Sequence, residues 1–363
     1  MSAAASLMVL PSSPDPDAPA QFYLLGAGIW HEVPLQVTAR IGLKAVREGV
    51  DGLLRDIMTK INQGAADNAR VTLEAKCRRY WSDLLPVPVG EYLTSALAGA
   101  IEPPCVLVYT SPKLEWVPWE LLHDGTNFLG LRCRVARLPI VPNGPVNADS
   151  RHAVRNAASF LGAGVFDAHT PQVSRWANTL ALAEGSGVVV QRFPANGGAN
   201  WPGLENIQAA ASVDIIHLTC HGGVDDQGRP YLTLDPEDDY AGIDEDLATT
   251  LNFPPSGPLV FANACGSPRA AAPSAAATRG IAVAFFDRGA SAYVGAIAPI
   301  SKAVALEFAH VFYERLLTDG LAVGEALRST KEHFQKANTT DPSWLFYTLY
   351  GSPDTRFVPE GVP

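Results

Sequence analysis

From residue 101 onward, short apolar runs rich in β-branched residues alternate with segments of helical periodicity. That rhythm constrains the fold more than any other feature of the chain. The runs at 104–110 (PCVLVYT), 159–165, 188–193, 214–219, 258–262 and 292–296 read as strands, with helix-like segments at 173–184, 201–211, 276–288, 301–317 and 323–337. Glu325 opens the last helix and Asn338 closes it. Because each strand returns through a crossover, the sheet is expected to be mostly parallel and the fold class α/β, doubly wound.

The rest of the chain is less regular. Residues 1–20 read as a loose tail and 21–100 as an extension packed on the core, with a strand-like FYLLGAGIW at 22–30 and a helix over about 44–61. The main domain is expected over 101–358. Pro-rich LPVPVG at 85–90 and IVPNGPVNAD at 140–149 read as linkers, and 265–280 (CGSPRAAAPSAAATRG) as a mobile loop after a strand.

Composition removes several function classes. With 47% hydrophobic and 18% charged residues the chain can bury a large core. A net charge of -10 argues against a protein that coats phosphate backbones, so nucleic acid is not expected as a direct partner. The five cysteines, Cys77, Cys105, Cys133, Cys220 and Cys265, are odd in number and widely spaced, which suits a reducing, cytoplasmic setting. Neither a secretory leader nor a membrane span is expected.

In open parallel sheets, reactive groups gather beyond the carboxyl ends of the strands. Two strand ends carry such groups: DIIHLTCHGG (214–223) runs out into His221, and PLVFANACGS (258–267) into Cys265. A thiolate is the attacking form of cysteine, and a neighbouring imidazole stabilises it and then returns a proton to the leaving amine. Glycines beside both residues leave backbone N–H groups open to a developing oxyanion. Cys220, next to His221, is the rival nucleophile, but alternation along a strand turns it to the opposite face. The same alternation argues against a zinc site made of His217, Cys220 and His221. LGAGVF at 161–166 lacks the third glycine of a dinucleotide loop and is better explained by packing.

The segment N-A-C-G-S resembles the Q-A-C-x-G segment of caspases, which follows their histidine by about fifty residues. Asn263 and Ser267 depart from it. Together with IIHLTCHGG, the upstream WVPWELLHDGTNFLGLRCRVARLP (116–139) and the closing WLFYTLYGSPD (344–354), the chain resembles the CHAT family of caspase-like proteins, relatives of separases and gingipains. The resemblance implies a caspase-like three-layer α/β sandwich, with helices flanking a mostly parallel sheet. It implies peptide-bond hydrolysis with Cys265 as nucleophile and His221 as general acid and base, and an oxyanion hole from the backbone N–H groups of Gly222 and Cys265. No metal or organic cofactor is implied. Defence or programmed-death signalling, bacterial in style, is the implied setting, with a protein substrate and a separate activating or sensing protein.

Further residues are weighed around that pair. His217 lies on the same strand face as His221, about 13 Å away at strand rise, and is expected to order the site from below or to border the substrate cleft with Asn263, Asp225 and Asp226. Asn263 is neutral where arginine- and lysine-cleaving relatives carry an acid, which removes the reason to expect a basic residue before the cut. Nine acidic residues between Asp225 and Asp246 read as a solvated loop, or as a cleft wall that favours a basic segment. Arg269 and Arg279 are candidate self-processing points. Glu120 is expected to orient a site group or cap a helix, and Trp116 and Trp119 to be core aromatics. Two other readings stay open: a non-catalytic module that keeps the fold and binds partner proteins, and a small-amide hydrolase or acyltransferase using the same two residues.

Overall fold

The computed structural model describes residues 5–11, 20–26, 29–32, 43–98, 100–110, 117–139, 151–163, 165–166, 171–185, 187–193, 213–224, 230–234, 242–244, 257–264, 281–286 and 288–360. In chain order these form β1 (Ala5–Pro11), β2 (Ala20–Gly26), β3 (Ile29–Glu32), α1 (Leu43–Asn62), α2 (Ala66–Leu84), α3 (Val87–Ala98) and β4 (Cys105–Thr110). A 3-10 turn at Trp119–Leu121 precedes α4 (Leu129–Arg132), β5 (Arg134–Pro139), β6 (Arg151–Val154), β7 (Asn156–Leu161), α5 (Pro171–Asn178), α6 (Ala181–Glu184) and β8 (Val189–Phe193). There follow β9 (Ile215–Val224), β10 (Pro230–Thr233), β11 (Gly242–Asp244), β12 (Leu259–Ala264) and β13 (Ala292–Ala296). The chain closes with α7 (Lys302–Tyr313), α8 (Val323–Lys336), β14 (Tyr347–Gly351) and β15 (Arg356–Pro359).

The fold is α/β, with helices against a large, mostly parallel sheet. Its path runs β11-β10-β9-β12-β13-β14-β5-β4-β1-β2-β3, and β7 pairs with both β8 and β9. Strands β7, β9, β12 and β13 are mutually parallel neighbours, so their carboxyl ends share one edge. Their sequences explain that placement: Leu259, Val260, Phe261 and Ala262 are all buried, the continuous apolar run of a strand covered on both faces.

The two faces meet different partners. Ile216, Leu218 and Cys220 of β9 and Val260 and Ala262 of β12 pack with Ile281, Ala282 and Phe285 of the helix at 281–286. His217 and Phe261 instead meet Tyr313 of α7, at ring separations of 5.5 and 5.6 Å. Phe308 of α7 stacks on Tyr347 of β14 at 3.8 Å. Ser301 caps α7 by accepting from Val304 N, and α8 ends before Asn338, whose φ of 51 is a left-handed backbone that asparagine tolerates. That end agrees with the sequence reading.

Four expectations are corrected. The loose tail is in part strand β1, which pairs in parallel with β4 and buries Leu7 and Val9. The 85–90 linker is the start of α3: Pro88 sits in its first turn, where no intrahelical N–H is needed, and the carbonyl of Pro86 accepts from Val89 and Gly90. The 214–219 strand continues to Val224, because β10 pairs antiparallel with its far end. That hairpin, with β11 on it, also replaces part of the expected acidic loop. The helix expected at 201–211 and the loop at 265–280 lie outside the described residues, as does 140–149.

Candidate functional site

Strands β9 and β12 run side by side with Leu259 opposite Ile215, Phe261 opposite His217, Asn263 opposite Thr219 and Ala264 opposite Cys220. The residue that follows Cys220 is His221. The register therefore brings the last residue of β12 level with the residue just before the histidine. Cys265 itself, with Asp225, Asp226, Trp116, Arg269 and Arg279, lies outside the described residues. Gly222 is buried, and a Cβ there would come within 3.2 Å of the Ala264 Cβ, so glycine allows the two strand ends to close up.

His221 is held from the side by the turn after β7. Gly162 N donates to Thr219 O at 2.8 Å and Ala163 N to Leu234 O, and the Ala163 carbonyl meets His221 Nε2 at 3.2 Å. A carbonyl oxygen only accepts, so Nε2 carries the proton, and in the neutral ring Nδ1 is the basic nitrogen. Gly162 is required here: a Cβ would lie 2.9 Å from the Leu234 carbonyl oxygen. Sequence reading put LGAGVF down to packing and missed the carbonyl. The available signal was a small Gly-Ala pair directly after a buried strand.

His217 and Asn263 are corrected from cleft residues to core residues. His217 is 1% exposed; its Nε2 lies 3.0 Å from Thr219 Oγ1, and burial pushes its pKa down to about 3, so it stays neutral. It does sit below His221 on the same strand face, as expected. Asn263 is fully buried, donating from Nδ2 to Ala305 O at 2.9 Å and accepting at Oδ1 from the Tyr347 hydroxyl at 2.6 Å. Its neutrality thus suits two fixed hydrogen-bond partners.

Glu120 neither caps a helix nor reaches the site. It is 1% exposed and forms a forked ion pair with Arg137, Nη2 to Oε2 at 2.6 Å and Nε to Oε1 at 3.0 Å, while the Thr348 hydroxyl donates to Oε1. Burial opposes its charge, but Arg137, Lys331 and Thr348 together hold its pKa below the usual carboxylate range. Lys331, buried beside it, donates to the Tyr347 carbonyl at 2.6 Å; burial pulls its pKa down to about 8. Glu120, Thr348, Tyr347 and Asn263 come from three of the four sequence blocks quoted above. One polar network therefore ties those blocks together under the sheet. Trp119 is a core aromatic, as expected.

The other cysteines are poor nucleophiles. Cys77, Cys105, Cys133 and Cys220 are all buried, and burial raises the thiol pKa of Cys77 and Cys133. Cys220 faces the 281–286 helix, opposite to His221, as alternation requires.

The family model described as the CHAT domain matches residues 74–352, well over half of the chain. Among solved structures, the complex of Porphyromonas gingivalis RgpB pro- and mature domains is 11% identical with a TM-score of 0.50, covering 74% of this chain and 70% of that one. At that identity the likeness shows the fold, which is caspase-like. Separase in the Saccharomyces cerevisiae separase-securin complex is 12% identical over 72% of this chain, with a TM-score of 0.44. This chain spans 16% of that separase chain. The Arg-specific cysteine proteinase gingipain R is 10% identical, with a TM-score of 0.43, over 86% of this chain and 74% of its own. No curated protein matches the sequence. On the extent of the family match and the shared fold, the chain belongs to the CHAT-domain family.

Proposed function

We propose that the protein is a regulated cysteine endopeptidase in which Cys265 and His221 form the catalytic pair. The observation that carries this reading is the parallel register of Ala264 with Cys220. Cys265 directly follows Ala264 in the sequence and His221 directly follows Cys220, so the two residues of the pair come next after two residues that the sheet sets side by side. The Ala163 carbonyl supports it by directing the proton to Nε2 and the lone pair to Nδ1.

In this scheme Nδ1 of His221 takes the Cys265 proton, and the thiolate attacks the scissile carbonyl to form a C–S bond. The N–H groups of Gly222 and Cys265 receive the oxyanion. His221 then gives its proton to the leaving amine as the C–N bond breaks. Water, deprotonated by the same ring, cleaves the thioester to release the acid and restore the thiol. The setting that fits is cytoplasmic, with a protein substrate, an activating protein partner, and a role in bacterial defence or death signalling.

The test is mass spectrometry of a proteome incubated with the wild-type chain and with Cys265→Ala. New protein termini that need Cys265 support the endopeptidase. Their absence, with and without lysate from the native host as a source of activator, favours the non-catalytic binding module.

A further inference from the structure

Lys302, at the start of α7, is a cation near the carboxyl edge of the sheet. Helix α7 runs antiparallel to β12 across the face that bears His217 and Asn263: Ala305, near its start, accepts from Asn263, whereas Tyr313, at its end, packs on Phe261 and His217. Lys302 precedes Ala305 by three residues, which is about 4.5 Å along a helix axis and more than one residue of strand rise. Its backbone therefore stands level with the position just past Asn263, at the carboxyl edge of the sheet. The Lys302 ammonium lies 6.0 Å from the centre of the Phe166 ring. Phe166 belongs to the same post-β7 segment whose Ala163 carbonyl holds His221. Lys302 is exposed and makes no ion pair with a described carboxylate.

We propose that Lys302 is a specificity-determining residue: it favours peptides with an acidic side chain within three residues of the bond that is cut. This rests on the endopeptidase reading above. Two facts point to an anion. Among the described residues, the cation meets an aromatic face and no carboxylate. Its backbone also stands at the carboxyl edge of the sheet, the edge at which β9 carries His221. Among the described residues, Arg175 of α5 and Glu307 near this end of α7 pair with each other and not with Lys302.

The experiment profiles a proteome-derived peptide library with the full chain and with Lys302→Glu and Lys302→Met, using Cys265→Ala as the blank. Wild-type cuts are expected to be enriched in Asp or Glu near the new ends. A matched Glu and Gln peptide pair should differ about tenfold in kcat/KM, falling to near unity in Lys302→Met and inverting in favour of Gln in Lys302→Glu. Cysteine-dependent cuts with no acidic enrichment, or with an enrichment that charge reversal leaves unchanged, overturn the assignment of Lys302 alone. No cysteine-dependent cut in any form overturns the endopeptidase reading and this inference with it.

Discussion

The Tyr347 hydroxyl donates to Oδ1 of Asn263 at 2.6 Å, two residues before Cys265, while Nδ2 of the same asparagine donates to the carbonyl of Ala305. A fully buried amide thus pins the end of β12 to both β14 and α7. Replacing Asn263 with Leu strands a hydroxyl and a carbonyl in the core, at a cost of about 2–4 kcal/mol, whereas Tyr347→Phe strands only the amide oxygen and costs about 1–2. Chemical denaturation of the two variants checks that order.

The Glu120–Arg137 pair lies fully inside, with Lys331 beside it. Glu120→Gln leaves two buried cations facing a neutral amide and should cost about 3–5 kcal/mol. An apolar double replacement, Glu120→Leu with Arg137→Met, should recover much of that loss. Denaturation of the single and double variants gives the coupling directly.

His217 makes stability sensitive to acid. Its folded pKa is lowered to about 3 by burial, below its unfolded value of 6.5. Between those two values the unfolded chain binds a proton that the folded chain excludes. Stability is therefore whole above about pH 6.5 and falls as pH drops toward 3, by up to about 5 kcal/mol from this group. In His217→Gln the slope of melting temperature against pH over that window should be shallower than in wild type.

Gly162→Ala tests the turn that holds His221. The new methyl would meet the Leu234 carbonyl oxygen at 2.9 Å and displace Ala163. Peptide cleavage should fall about tenfold or more with little change in KM, because a shifted partner misaligns the imidazole. An unchanged kcat would show that the carbonyl does not position the ring.

Much of the fold is legible in the sequence wherever one covered element decides its own pattern. Strand β13 falls on the expected 292–296, and α8 keeps the expected Glu325 start and Asn338 stop. What escaped depends on distant pairing. SLMVLP becomes a strand because β4 and β2 lie on either side of it, and the glycines at 222 and 223 stay in β9 because β10 returns alongside. Helix α2 escaped for another reason: its buried Ala69, Leu73, Cys77, Tyr80 and Leu84 do follow helical spacing, but small and polar types mask the apolar stripe. At the site, His221 and the opposed facing of Cys220 were readable from alternation alone. The carbonyl of Ala163 was not, because a backbone acceptor leaves no mark in residue type.

The most direct measurement is the rate at which a thiol-directed peptide electrophile modifies each cysteine, located by mass spectrometry, in wild type and in His221→Gln. The account predicts that Cys265 is modified first and that the histidine replacement slows it by about a hundredfold or more, while the four buried thiols stay unmodified. Modification of Cys265 at the same rate in both proteins would contradict the partnership with His221.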